Sequence, residues 1–453
     1  MHDGVRPALA FALCLWAASA QAYPVDDDRL RSAIRANDVA AVQTALEQQA
    51  DPNQPLAFGA TPLAWAVNTQ NPALVDTLLA HGATPNRADQ DGVTPLSLAC
   101  ELGDATIIAR LLDARANVHA LRSDGASPLA VCARYGPADA VARMLALGAA
   151  PDKADSRRQT PLMWAASSGR TDAITLLLKA GADANRVSKG GFTPLFFAIK
   201  SGVVSATQAL LDAGADSRYR GPENSSAAQL ALYQKNYGAA ALLVSRDADL
   251  TERDRTGEQL LHGAAGGGDT DLIRLLLAKG ADPNALTGLS RITWVTEANF
   301  GVAPPPVPPT PPLLIAAASG HEAAMKLLVA AGADARFVAA DGTNIVLAAV
   351  RGGDAATLDY ALRLAPDVNV ANARGMTPLH LLLGSGVQPA LEAMLRVLAA
   401  HGASTDIPSK SGATAAQIAD GGLTEVKQIF RSVFPNSAPI IVADTAPRTV
   451  PHN

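Results

Sequence analysis

Aromatic side chains are scarce in this sequence of 453 residues: nine Phe, six Tyr and four Trp, 4% in all. A core of ordinary size must therefore be filled by small side chains, with Ala foremost, set between closely spaced elements. Excess charge of one sign is lacking too. The 37 basic and 42 acidic residues give a net charge of −5, which leaves no broad basic field and excludes nucleic acid or anionic lipid as the main partner. Disorder is excluded by the 48% hydrophobic content. Beyond the N-terminus there is no run of 18 or more apolar residues, so no membrane insertion is expected. Catalytic signatures are missing as well: there is no G-x-S-x-G elbow, no G-x-x-x-x-G-K-[ST] loop and no CxxC pair. His321-Glu322 begins an HExxH pattern whose second histidine is absent. No catalytic residue, cofactor or metal is expected.

What is present begins with a processing signal. Met1 to Arg6 is weakly basic, and Pro7 to Ala18 is apolar but too short for the ~20 residues that span a bilayer. Ala20-Gln21-Ala22 then places small residues where signal peptidase reads them, so residues 1–22 are expected to be removed and Tyr23 to begin a periplasmic or secreted protein. The alternative is a buried N-terminal helix. An Ala-rich chain with 28 Arg against nine Lys fits a GC-rich bacterial genome.

Internal repetition is the strongest signal. Thr-Pro-Leu or Ser-Pro-Leu begins at Thr61, Thr94, Ser127, Thr160 and Thr193, each 33 residues after the last. The same step reaches Ser226 and Gln259, where the motif has decayed. Gly-Ala follows 21 residues after the Thr slot, at Gly82, Gly148, Gly181, Gly214 and Gly280. The phase breaks after Gly280, and further units read from Pro311, Thr343, Thr377 and Thr414. Thr or Ser caps a first helix and Pro suits its first turn, where a missing N–H is harmless. A second helix follows and ends on Gly, where a left-handed residue is wanted. One such pair cannot bury its apolar face alone, so neighbours must stack.

This pattern resembles the ankyrin repeat, with its 33-residue period and T-P-L-H-x-A core. The resemblance covers residues 25 to 433 as eleven or twelve units. It implies an all-α solenoid of helix-turn-helix units joined by short β-hairpin loops. The solenoid is expected over 23–433, with an insertion at about 286–310 and a Pro-containing tail at 434–453. It also implies that His262 and His380, in the fourth motif position, hydrogen-bond to hold the loops of adjacent units, and that His321 stands in a usual place for histidine. His81 and His401 end second helices, where a partly cationic ring suits the helix dipole. Asp183, Asn185, Asp282 and Asn284 read as turn formers. The first and last units are expected to be polar caps.

Cys100 and Cys132 fall at the seventh and sixth positions of first helices in adjacent units. An exported protein can form disulfides, but a bridge needs Cα atoms within about 7 Å, whereas packed helix axes lie ~8–10 Å apart. Two buried thiols are the expectation. Trp65 and Trp164 share the fifth motif position and are expected on the core side. Trp294 has no such slot. It lies in the insertion with Phe300, ahead of a proline-rich stretch. A loop this long is either a lid packed on the solenoid or a binding finger.

In the family, partners are bound by hairpin tips and by the concave face of the first helices. By register the tips here are Phe58, Gln90, Arg157, Lys189, Phe192 and Arg255. The helix face includes Glu101, Arg134, Tyr135, Lys200 and Tyr233. Aromatic and Arg side chains at such places are the usual interface hot spots. The resulting expectation is an exported, monomeric, non-enzymatic protein with a protein partner, bound through Phe58, Gln90, Tyr135, Arg157, Lys189, Phe192, Tyr233 and Arg255 with Trp294 and Phe300. One alternative is an inhibitor or immunity protein that neutralises a toxic enzyme. Another is an enzyme or ligand receptor built around the insertion.

Overall fold

The computed structural model describes residues 25–246, 248–290 and 308–437. The expected signal segment, Trp294 and Phe300 of the insertion, and most of the tail lie outside the described residues. Among the described residues twenty-four α-helices form twelve consecutive pairs, divided between a unit ending at Pro194 and a unit beginning at Leu195.

Capping explains where the first helices start. Thr61, Thr94, Ser127 and Thr160 each accept a backbone N–H from three residues ahead, at 3.1 to 3.4 Å, with Pro at the next position. The decayed motifs keep this function by other means. Ser226 and Gln229 form a reciprocal capping box, as do Thr414 and Gln417. One register differs from expectation: the helix Ile345–Gly352 is capped by Asn344, whose Oδ1 takes the Val346 and Leu347 amides, so Thr343 stands one residue ahead of the cap.

In the first unit five pairs stack, from Val25–Arg35 with Val39–Glu47 to Pro161–Ser167 with Thr171–Lys179. In the second unit seven pairs do so, ending with Ala415–Gly421 and Thr424–Val433. Their interiors are built from Leu, Ile, Val and many Ala, as in Leu162, Ala165, Ala166, Ile174 and Leu177, all fully enclosed. The expected hairpin loops contain no strand among the described residues. They are tight turns, tied tip to tip by single bonds such as Gln90 N–H to the Phe58 carbonyl (3.2 Å) and Lys189 N–H to that of Arg157 (2.8 Å). One bond per tip is too little ladder to make a sheet.

The opposite edge carries a second set of ties. Asn53 donates to the Gly82 carbonyl (2.9 Å) and accepts from Thr84 N–H (2.7 Å). Asn284 does the same for Gly332 and Asp334 (3.0 and 2.8 Å), although they lie 48 and 50 residues away. The insertion therefore leaves the stacking of its flanking repeats intact. Its neck is closed by Thr287 N–H to the Thr310 carbonyl (3.1 Å), Thr310 N–H to Thr287 Oγ1 (3.0 Å) and Gly288 N–H to the Gly257 carbonyl (2.7 Å). His262 sits beneath, its Nε2 shared by the Ala285 and Thr310 carbonyls at 2.9 and 3.2 Å. His380 likewise reaches the Ala413 carbonyl (3.0 Å).

The cysteines depart from the sequence expectation. Cys100 and Cys132 are joined in a disulfide, both fully buried, with Cα atoms 4.6 Å apart. Axis spacing is the wrong measure for such a pair. Cα atoms lie about 2.3 Å from each helix axis, so facing residues on axes ~8–10 Å apart approach to roughly 3.4–5.4 Å. That range overlaps the ~4.4–6.8 Å a disulfide needs. Adjoining Ala99 and Ala133 keep the contact narrow.

Candidate interaction surface

Positions eight and nine of the first helices with a Thr or Ser cap in the first unit, and position five in three of those four, are not enclosed by the stack. These slots hold Trp65, Leu98 and Trp164 at position five, where the remaining helix has the fully buried Val131, and Glu101, Arg134 and Tyr135 at eight or nine. Trp65 and Trp164 were expected on the core side, but both are half-buried. The third and seventh positions face the core, as in Leu63 with Val67 and Leu162 with Ala166, all fully enclosed, and the fifth position falls to the side of that stripe. Arg35 lies over the Trp65 ring, 5.2 Å from its centroid. Trp164 donates its indole N–H to Asp155 Oδ2 (3.2 Å), while the other oxygen of Asp155 holds the turn amides of Arg157 and Gln159.

Arg134 is placed between two rings, 5.0 Å from the Tyr135 centroid and 5.6 Å from that of Trp164. Its Nε is enclosed and has no hydrogen-bond partner among the described residues. Glu101, one helix away, is neutralised by Arg122 at 3.0 Å.

The turns at the tips supply a second row. Phe58 is 57% exposed, and its backbone is left-handed at φ 60°, an unusual conformation for a side chain of that size. Its carbonyl joins it to Gln90, so these two candidates are neighbours. Arg157 and Lys189 are neighbours in the same way, and both side chains are exposed. Phe192 closes the same turn as Lys189, its backbone paired with Ser188, and is exposed. Tyr135 belongs with Arg134 and Trp164 on the helix face, apart from the tips.

In the second unit Tyr233 is 72% exposed, with the Arg255 guanidinium 5.8 Å from its ring centroid and Glu223 3.7 Å from Arg255. Near the neck, burial pushes the Glu258 carboxyl above its ordinary pKa, helped by the negative charge of Asp254. Burial holds the His262 imidazole below its ordinary value, against the pull of its two carbonyl partners. Among the described residues no group of three or more His, Cys, Asp or Glu is arranged to hold a metal ion. No helix among the described residues is long and apolar enough to cross a membrane.

Sequence register thus brings together Phe58 with Gln90, Arg157 with Lys189, and Tyr233 with Arg255. It misses the Trp65 and Trp164 stacks. The signal for these was available: an aromatic at position five recurs near Arg at the exposed end of a first helix. Comparison with known families identifies the repeats. Models of ankyrin repeats, three copies each, match residues 30–122, 99–188, 129–221 and 313–409, and a single ankyrin repeat matches 256–288. No curated protein matches the chain.

Proposed function

Because the chain belongs to the ankyrin-repeat family, we propose that it is an exported, non-catalytic protein that works by binding a protein partner. Ankyrin repeats are in general protein–protein interaction modules. The observation that carries the reading is the first-helix face of the first unit. In a chain with few aromatics, Trp65, Tyr135 and Trp164 keep surface in solvent, two of them stacked on Arg134. Aromatic and Arg anchors of this kind dominate binding energy where they are desolvated by a partner. Export is supported by the N-terminal apolar stretch ending in Ala20-Gln21-Ala22 and by the Cys100–Cys132 disulfide, a bond that persists in oxidising compartments.

Two measurements test the reading. Mass spectrometry of the protein from the periplasm or medium should begin at Tyr23, and an intact Met1 there refutes export by cleavage. Immobilised wild-type chain and a Tyr135→Ala, Trp164→Ala variant are then offered the same extract. A partner kept by the first and lost by the second, at equal melting temperature, supports the face. Equal capture by both removes it, and the tips at Phe58, Gln90, Arg157 and Lys189 become the binding row.

A further inference from the structure

The first helices of the first unit, beyond its terminal pair, carry almost no charge. Pro62–Asn68 and Pro161–Ser167 have none, Pro95–Leu102 has Glu101, and Pro128–Tyr135 has Arg134. Glu101 is neutralised by Arg122, and Asp155 is committed to Trp164 and to its own turn. Arg134 is left as a half-buried cation with no carboxylate within 4 Å among the described residues. Its surroundings are arranged for a planar group. The rings of Tyr135 and Trp164 take its face, and its Nε is shut away without a partner. Only its terminal nitrogens remain to meet solvent.

A half-buried cation without a counter-ion gives up part of its hydration, and stacking on aromatic faces recovers part of that cost. The remainder is recovered when a planar anion meets the two terminal N–H groups end-on, which a carboxylate does bidentately. We propose that this face recognises a protein segment bearing an Asp or Glu beside apolar residues, with the carboxylate forked on Arg134 and the apolar neighbours on Trp164 and Leu98. This inference deepens the binding reading above and rests on it. A polyanion such as nucleic acid fits poorly, because one unpaired cation flanked by Glu101 offers no track of positive charge. The Cys100–Cys132 disulfide joins the two helices that carry Glu101 and Arg134, and so fixes the spacing of these charges before any partner arrives.

The test uses the oxidised full protein and a phage-displayed library of random twelve-residue peptides. Enriched peptides should contain Asp or Glu next to aliphatic or aromatic residues. A synthetic copy of one should lose about ten-fold in affinity with Arg134→Gln, and a similar factor when its acid is replaced by the amide. The two losses should not add, since both remove one contact. Arg134→Lys, which keeps the charge but not the fork, should recover only part of the affinity. All variants should melt like the wild type. Enrichment of peptides without acids overturns the carboxylate assignment while leaving the binding reading standing. Fully additive losses overturn the pairing with Arg134. No enrichment at all overturns the binding reading and this inference with it.

Discussion

Removing the Cys100–Cys132 bond is the sharpest perturbation of the first unit. The bond closes a loop with a sequence separation of 32 residues. Loop-closure entropy for that length is about 12.5 cal/mol/K, or about 3.7 kcal/mol at 25 °C. Replacing both cysteines by alanine removes two buried sulfurs and adds only a small packing loss, so a destabilisation of about 3–4 kcal/mol is expected. Urea unfolding followed by Trp fluorescence reads this, because Trp65 and Trp164 lie in the same unit as the bond. Three samples suffice: oxidised wild type, wild type with reductant, and the double variant. The last two should share a midpoint below the first, at similar slope. Thiol labelling after denaturation should find no free cysteine in the exported wild type. Two labelled thiols together with identical midpoints would show that the cysteines do not pair. No free thiols but a shift below about 1 kcal/mol would instead refute the entropic reasoning.

Other expectations follow from single sites. Leu162 is fully enclosed at the motif leucine of its repeat, so Leu162→Ala should lose about 2–5 kcal/mol in urea unfolding. A loss under about 1 kcal/mol would mean the site collapses freely. His262 is held neutral by burial, its pKa below the ordinary 6.5. Above that value both folded and unfolded chains are unprotonated there. As pH falls below it the unfolded chain takes the proton first, so stability declines until the depressed folded pKa is reached. The melting temperature of wild type should thus fall with pH below 6.5 more steeply than that of His262→Gln, and equal slopes would refute the assignment. Phe58→Gly relieves a left-handed backbone and should stabilise by up to about 1 kcal/mol. A lower melting temperature would show that the ring packs on its neighbours.

Much of this molecule is legible in its sequence because each repeat writes its own boundaries. Thr61 or Thr160 followed by Pro announces a helix start, and Gly82 or Gly181 announces its end, through local chemistry that no neighbour can override. The bridging roles of His262 and His380 come from the resemblance to the repeat family, and both rings do reach carbonyls of the following loop. What escapes is the relation between repeats. The Cys100–Cys132 pairing depends on the distance between facing backbone surfaces, which a periodic pattern does not state. The outward turn of Trp65 and Trp164 escapes because a large apolar side chain in an Ala-lined slot looks like core until the stack shows which side is closed. Register places Arg134 on the helix face, but its isolation escapes because it depends on Arg122 having already taken Glu101.

The closed neck at Thr287 and Thr310 has a consequence for how the second unit can change. Its two ends are tied to each other and to Gly257, while Asn284 reaches past the intervening segment to Gly332 and Asp334. A loop whose ends are already joined burdens the scaffold only through its length, and doubling that length costs about 0.6 kcal/mol. The repeats on either side are therefore held in register by bonds that lie outside residues 291–307. Such a neck makes a socket in the stack, and exchanging the segment for an unrelated module with neighbouring termini should leave the flanking ties in place. The scaffold beneath would keep the same register throughout.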